Sequence, residues 1–360
     1  MTNLLKAVIW DLDDTIWRGV AVEGDDLELN EPVMKVVRSL HDSDIVQSIA
    51  SRGDDDAARD ALTRTGIRRY FVYPQVNWSD KSESISRSLE LLNLGQQNVA
   101  FVDNDEYERG QVRSVFPDMA VYDPEDPSFE ESLLSRVTDS SNELGERRTE
   151  LYKSDERRHV AQVESTLSPS EFLATLSLRV GVRMAVRDDL ARLGELTRRT
   201  NQLNSTGIIY GIDELEELIL RDDYLVVVCE VEDRFGRYGT TGLLVAHVSV
   251  GQLRVLLQLS SCRIASRGAG SVLVRSIAET AREANLNFVV DFIASGRNRP
   301  MEIALRFLGL EPGVGCDRHI GCRLYGVGPD GITPNPSHVA VSIDEGVHSR
   351  LRAIQRIERG

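Results

Sequence analysis

The chain is short of cysteine, of positive charge and of long apolar runs. Its four cysteines, Cys229, Cys262, Cys316 and Cys322, all fall in the second half. They lack the paired spacing of a zinc site and are too few for a disulfide scaffold, so a reduced, cytoplasmic protein is expected. No apolar run approaches the roughly 18 residues that span a bilayer. Met1-Thr2-Asn3-Leu4-Leu5-Lys6 leads straight into a strand without the layout of a signal peptide, so no membrane association is expected. With 42 Lys and Arg against 57 Asp and Glu, the net charge of −15 argues against general nucleic-acid binding. What is present is 41% hydrophobic and 28% charged residues, the mixture of an ordinary globular chain. At 360 residues it exceeds one core, so two domains are expected.

The most informative stretch is Val8-Ile9-Trp10-Asp11-Leu12-Asp13-Asp14-Thr15-Ile16-Trp17, where an apolar run ends in three carboxylates and a threonine. Such a run reads as a buried strand of a parallel α/β sheet with its C-terminal end at the ligand crevice. Carboxylates two apart there can share a hard cation such as Mg²⁺, and one can attack phosphorus. A surface acidic turn is the plainer alternative. Helical spacing follows over 31–42, a strand over 44–50 leading into Ser51, and a helix over 54–65. A short strand over Tyr70 to Tyr73, a helix opened by Lys81 and running to about Leu92, and a strand over 98–102 ending in Asp103 complete the alternation. Strands alternating with helices predict a doubly wound parallel sheet.

Asp11 with Asp13, Ser51, Lys81 and Asp103 resemble, in order and spacing, the haloacid dehalogenase superfamily of phosphotransferases. The resemblance implies that Asp11 takes the phosphoryl group, while Asp13 protonates the leaving oxygen and then activates water. Ser51 and Lys81 would bind the phosphoryl oxygens, and Asp103 would complete an Mg²⁺ site with Asp11 and Asp13, Asp105 being a weaker candidate. Taken singly, Ser51 or Lys81 would suit an N-cap or a solvated surface equally. The intervals between these residues leave no room for an inserted cap domain. Such a site is open to water unless another domain or a large substrate closes it.

Residues 1–125 make the first domain, and 126–167, rich in charge, Ser and Pro, read as a solvated helical connector. Residues 168–327 form a second α/β domain and 328–360 an extended tail with a short helix. In the second domain, strands over 224–231, 242–250 and 253–259 precede Arg267-Gly268-Ala269-Gly270, a glycine-rich helix start suited to holding a phosphate or a phosphopantetheine arm. With Asn298-Arg299-Pro300 and Phe307-Leu308-Gly309-Leu310, this order resembles the acetyl-coenzyme A-dependent N-acetyltransferase fold, although Ala265 stands where that fold usually has arginine or glutamine.

The combination resembles the FkbH-like family of glyceryl transferase/phosphatases over roughly residues 5 to 325. The stretches that carry it are the Asp11–Trp17 segment, Asn77-Trp78-Ser79-Asp80-Lys81-Ser82-Glu83, Thr200-Asn201-Gln202-Leu203-Asn204, Asp233-Arg234-Phe235-Gly236 and Ser261-Cys262-Arg263. Asp14 stands where that family commonly has asparagine, and Asn104-Asp105-Glu106 replaces its usual Asp-Asn-Pro. The resemblance implies loading of a glyceryl unit from D-1,3-bisphosphoglycerate onto an acyl carrier protein for polyketide assembly, through an enzyme cysteine, with removal of the C3 phosphate. A phosphatase without acyl transfer is the alternative. Cys262 is the candidate nucleophile, its plainer role being a buried small side chain, and Cys229 a weaker one. Cys316 and Cys322 read as structural or incidental, and His319 as a surface residue. Asn201, Gln202 and Asn204 are candidates for the glyceryl hydroxyls or for closing their own loop. His247 is expected opposite Leu256, across a turn at Gly251-Gln252, and so far from Cys262.

Overall fold

The computed structural model describes residues 5–23, 26–137, 148–249, 251–265, 267–315 and 321–357, with side chains at all of these except 262, 263, 314, 315 and 354–357. The chain divides into two compact units, Met1–Ala161 and Gln162–Gly360. The expected Cys316 and His319 features and the Cys262 side chain lie outside the described residues.

The first unit is organised on strand β1 (Ala7–Trp10), whose four side chains are all buried. Two short strands, β2 (Trp17–Arg18) and β3 (Glu28–Leu29), form a separate ribbon. Helix α1 (Glu31–Asp42), strand β4 (Val46–Arg52), helix α2 (Asp55–Arg64), strand β5 (Gln75–Asn77), helix α3 (Lys81–Leu92), strand β6 (Val99–Val102), helix α4 (Glu106–Val115) and strand β7 (Ala120–Tyr122) follow. The sheet runs β5-β4-β1-β6-β7, and every pair in it is parallel. Val8 and Trp10 pack with Val33, Met34 and Val37 of α1 on one face. Ala7 and Ile9 pack with Ile85 and Val112 from α3 and α4 on the other. Two covered faces explain why β1 is apolar throughout rather than alternating. This is the doubly wound α/β sheet expected, and among the described residues it carries no inserted domain between its strands.

The expected strand at Tyr70 to Tyr73 is not there. A 3-10 turn over Arg68–Tyr70 takes its place, and only an isolated bridge joins Phe71 to Gln47. Tyr73, at φ 47, turns the chain left-handed, which ends any extended run before β5 begins.

Residues 126–161 also depart from the expected free-standing connector. Helix α5 (Phe129–Leu134) buries Phe129 and Leu133 in the first core. Helix α6 (Arg148–Val163) docks by specific polar ties rather than by an apolar stripe. The Tyr152 hydroxyl donates to the Leu92 carbonyl at 2.9 Å, and the Glu156 carboxylate accepts from the Arg68 guanidinium at 2.9 Å and the Tyr73 amide at 3.1 Å. Opposite charges that read as a solvated face are therefore turned partly inward.

The second unit opens with helix α7 (Pro169–Thr175), capped by Ser168 and Glu171 in a reciprocal box. Strand β8 (Leu178–Met184), helices α8 (Leu190–Arg199) and α9 (Ile212–Leu220), and strands β9 (Tyr224–Asp233), β10 (Gly236–Ser249) and β11 (Gln252–Ser260) follow. Then come helices α10 (Cys262–Ala265) and α11 (Val272–Glu283), strand β12 (Asn287–Ile293), helix α12 (Arg299–Phe307), strands β13 (Leu310–Gly315), β14 (Cys322–Val327) and β15 (Val339–Ile343), and helix α13 (Glu345–Ile357). The sheet runs β13-β14-β12-β11-β10-β9-β8-β15. The tail is thus not merely extended: β15 pairs parallel with β8, and Val347 and Leu351 of α13 are buried.

Two strands diverge in a way that shapes this unit. β11 and β12 pair only from Gln252↔Asn287 to Val255↔Val290. Beyond that the loop after α8 enters the gap: the Ser205 amide donates to the Gln258 carbonyl, the Ser260 amide to the Leu203 carbonyl and the Ile293 amide to the Ser205 carbonyl. The inserted loop satisfies backbone groups that the diverging strands leave open.

Among the described residues, no helix is long and apolar enough to cross a membrane. Glu156→Ala should cost the first unit about 2 kcal/mol, since it strands the Arg68 guanidinium and the Tyr73 amide that donate to a mostly buried carboxylate. The control Glu150→Ala, which removes only the half-exposed partner of Lys153, should cost under about 0.5 kcal/mol. Urea unfolding of both variants followed in the first unit checks this, and equal losses would count against the docking account.

Candidate active site

The parallel register sets the geometry of the first unit's site. Trp10 pairs with Val102 and with Ile49, so Asp11 and Asp103 leave neighbouring strands side by side while Ser51 comes just before Arg52, the last residue of β4, on the other flank. The Asp11 amide donates to the Val102 carbonyl at 2.9 Å. Past the strand ends, the Thr15 hydroxyl donates to the Asn104 side-chain oxygen at 3.3 Å and accepts from the Asn104 amide at 3.2 Å, tying the β1 and β6 loops together.

Lys81, the first residue of α3, reaches between the two carboxylates. Its Nζ donates to Asp11 Oδ1 at 2.8 Å and to Asp103 Oδ2 at 2.5 Å, and all three residues are buried. Desolvation alone would lower the Lys81 pKa, but the charges of Asp11 and Asp103 outweigh it and hold it above its ordinary value. In Asp11 desolvation wins over the opposite charge. Burial pushes its carboxyl from 3.8 up to about 6, against the pull of Lys81 and with the help of Asp103, while hydrogen bonds from Lys81 and Ser51 oppose the rise. One ammonium shared by two buried carboxylates leaves negative charge uncompensated.

That donor set fits a hard divalent cation such as Mg²⁺, which takes carboxylate oxygens and relieves the excess charge. Asp11 and Asp103 are the residues that would hold it. Among the described residues no three His, Cys, Asp or Glu side chains form a ready cation cage. Asp13, expected as a third ligand, holds its Oδ1 toward Trp17 Nε1 at 2.8 Å and the Ala21 amide at 3.2 Å instead. It is partly exposed and lines a cleft with Ser51, Arg52 and Gly53. Asp105, the weaker metal candidate, is the N-cap of α4, accepting from the Tyr107 and Glu108 amides. Asp14 occupies a left-handed turn at φ 55 and accepts from the Gly19 amide, a conformation that Asp and Asn both tolerate.

Arg52 lines the same cleft and was not singled out from the sequence. It is held between Asp80 at 2.9 Å and Glu108 at 3.2 Å, and its only sequence signal was adjacency to Ser51.

In the second unit the candidates separate. β11 ends at Ser260, and Cys262 opens the short helix α10. Cys229 is buried, and desolvation pushes its thiol up to about 12, the condition of an inert cysteine. Cys322 is also buried and is disulfide-bonded, which departs from the all-reduced expectation. Asn204 closes its own loop: its side chain accepts from the Thr206 and Gly207 amides at 3.1 and 2.8 Å and donates to the Thr200 carbonyl at 3.1 Å. Asn298 ties that loop to β12, donating to the Asn204 and Ile293 carbonyls. Asn201 is exposed and Gln202 is exposed, so only they remain free to meet a solute.

The expected phosphate cradle is largely closed. The Arg267 amide donates to the Ile264 carbonyl and the Gly268 amide to the Ala265 carbonyl. Gly268 adopts φ 77, and a Cβ there would stand 3.3 Å from Pro336 Cγ. Gly270 packs on the Ala265 backbone, and its carbonyl accepts from the Ser260 hydroxyl at 2.7 Å. His247 pairs with Arg254 rather than Leu256, because Gln252 is already in β11 and pairs with Ser249. Its Nε2 lies 3.4 Å from Asp223, at the far end of the hairpin from α10.

No family model matches the chain, and no curated protein matches it. Among solved structures, the chain is similar to the phosphatase-containing N-terminal part of a Bacteroides fragilis protein complexed with Mg, at 24% identity over 37% of this chain and 39% of that chain, with a TM-score of 0.32. It is also similar to a hydrolase of the haloacid dehalogenase superfamily from Ehrlichia chaffeensis, at 11% identity over 38% of this chain and 100% of that one, with a TM-score of 0.30. Another match is the ribosomal-protein-S18-alanine N-acetyltransferase from Escherichia coli, at 10% identity over 44% of this chain and 97% of that one, with a TM-score of 0.33.

Two outcomes are expected. Because the folded pKa of Asp11 lies above its ordinary value, the native state holds that proton more tightly than the unfolded chain does. The ionised carboxylate therefore weakens metal-free folding above about pH 6, and the effect fades as pH falls from 6 toward 3.8. With metal chelated, Asp11→Asn should resist urea better than wild type at pH 7.5, with a margin that shrinks toward pH 4.5. A margin that is absent at pH 7.5 or grows on acidification contradicts the assignment. Separately, iodoacetamide at pH 8 should leave Cys229 unmodified in the folded protein and label it after unfolding, as read by peptide mass spectrometry.

Proposed function

We propose that the chain loads a glyceryl unit from D-1,3-bisphosphoglycerate onto the thiol of an acyl carrier protein and removes the C3 phosphate on the way, as a step of polyketide assembly. The observation that carries the phosphate half is the buried Asp11–Lys81–Asp103 bridge at the C-terminal ends of adjacent parallel strands.

In that half, an Asp11 carboxylate oxygen attacks phosphorus and the P–O bond to C3 breaks. Asp13 gives its proton to the departing alkoxide, then takes one from the water that attacks the aspartyl phosphate, so that inorganic phosphate leaves and Asp11 is restored. Ser51 and Lys81 hold the phosphoryl oxygens and offset their charge. Mg²⁺, bound by Asp11 and Asp103, would supply further charge stabilisation at the phosphoryl group. In the acyl half, the Cys262 thiolate attacks the carbonyl carbon of the acyl phosphate. Its C–O bond to phosphate breaks and a thioester forms, which the carrier thiol then attacks to release Cys262. An acyl phosphate is reactive enough for a thiolate alone, whereas the C3 ester needs an acid. The two halves therefore call for different residues.

Intact-protein mass spectrometry after mixing with D-1,3-bisphosphoglycerate and Mg²⁺ tests both halves. Wild type should carry a thioester-linked glyceryl adduct, Asp11→Asn a phosphoglyceryl adduct, and Cys262→Ala none. Phosphate release without an adduct on any cysteine would remove the transferase half and leave a phosphatase. An adduct that retains its phosphate on wild type would remove the phosphatase half.

A further inference from the structure

If Asp13 protonates a leaving alcohol, that alcohol rests against the cleft that Asp13 lines. The cleft holds about 10 Å³, roughly the room of one water. A group the size of glyceryl is too large to be enclosed there and meets the protein at the mouth. Shape then sorts leaving groups weakly, and the charge around the mouth becomes the stronger criterion.

Of the residues that line the cleft, only Arg52 is cationic, against Asp13 and Asp54. The Arg52 guanidinium is already held by the carboxylates of Asp80 at 2.9 Å and Glu108 at 3.2 Å. Those three residues together carry surplus negative charge rather than a free positive one. The start of α2 is the other feature that would draw an anion, since helix N-termini carry partial positive charge. There Asp54 caps the helix, accepting from the Ala57 amide at 2.9 Å, and Asp55 and Asp56 occupy the first turn. The helix end is thus met by its own carboxylates. Even with Asp13 protonated for its acid role, Asp54 and the Arg52 group leave the mouth negative.

We propose that this cleft is an electrostatic filter on the leaving group. It admits phosphate esters whose far end is uncharged and turns away those that bear a second anion, with Asp54 as a specificity residue. The inference rests on the phosphatase half of the reading above and names the substrate class of that site. A phosphoglyceryl thioester is uncharged at its far end, whereas 3-phosphoglycerate and D-1,3-bisphosphoglycerate each carry a second anion there. Acyl transfer then precedes loss of the C3 phosphate, and free phosphoglycerate is spared.

The test is phosphate release by the full chain with Mg²⁺ at low ionic strength, on 3-phosphoglycerate and on its methyl ester. The two differ in one charge at nearly the same shape. Wild type should favour the ester about tenfold in kcat/KM, and about 1 M KCl should reduce that preference to about threefold or less. Asp54→Asn keeps the cap, because asparagine serves an N-cap as well as aspartate does. It should lower the preference at low salt about threefold and leave the thermal midpoint unchanged. Equal rates on the two compounds, or a preference for the acid, overturn the filter and leave the phosphatase reading standing. A preference for the ester that responds neither to salt nor to Asp54→Asn also overturns it, since charge is then not the cause. No phosphate from either compound or from p-nitrophenyl phosphate removes the phosphatase reading, and the filter with it.

Discussion

Two buried carboxylates converge on one lysine, and much of the first unit is arranged so that they can. Asp11 and Asp103 meet because β1 and β6 are parallel neighbours in a fixed register. Side by side and out of water they repel, and only the Lys81 ammonium between them makes the pair tolerable. Lys81 in turn depends on where α3 begins, which the short strand β5 and the Asp80 turn determine. A slip of one residue in β1 would move Asp11 to the other face of the sheet and leave Lys81 with half its compensation. Burial of both faces of β1 makes that slip unfavourable. The core and the site therefore impose the same register.

The second unit is governed by a different constraint, the early parting of β11 and β12. Backbone groups exposed by that parting need partners, and the loop after α8 supplies them from Leu203 and Ser205. Asn204 and Asn298 then exist largely to hold that loop in place. This accounts for side chains that look chemical in the sequence and are structural in the fold.

Where one physical rule dominated, the sequence was legible. The unbroken apolar run of β1, the acidic strand end and the Lys81 helix start each follow from burial or capping, and α3 and β12 fall where their periodicity puts them. Legibility failed where tertiary contacts decided the matter. Tyr73 in a left-handed conformation ends a stretch whose composition favours a strand. The mixed charges of α6 look solvated until Arg68 and the Tyr73 amide are seen to face Glu156. The hairpin register of His247 shifted by two residues because a glycine-glutamine pair can turn or extend, and here Gln252 extends. Composition could not separate an asparagine that binds a ligand from one that closes a loop, and Asn204 closes a loop.

Asp11 and Asp13 are two residues apart, and in the proposed reaction their different surroundings would divide the work between them. The nucleophilic role needs a carboxylate stripped of water and aimed by fixed donors, and Asp11 is buried with Lys81 and Ser51 supplying them. The acid–base role needs contact with both the leaving oxygen and solvent. Asp13 lies at the cleft wall, where it would be placed for that role, steadied through one oxygen by Trp17 and Ala21. Had Asp13 joined Asp11 and Asp103 directly, a third negative charge would have gathered on one ammonium in a dry site. In the proposed reaction, turning Asp13 aside would let a single acidic strand end serve two chemical roles.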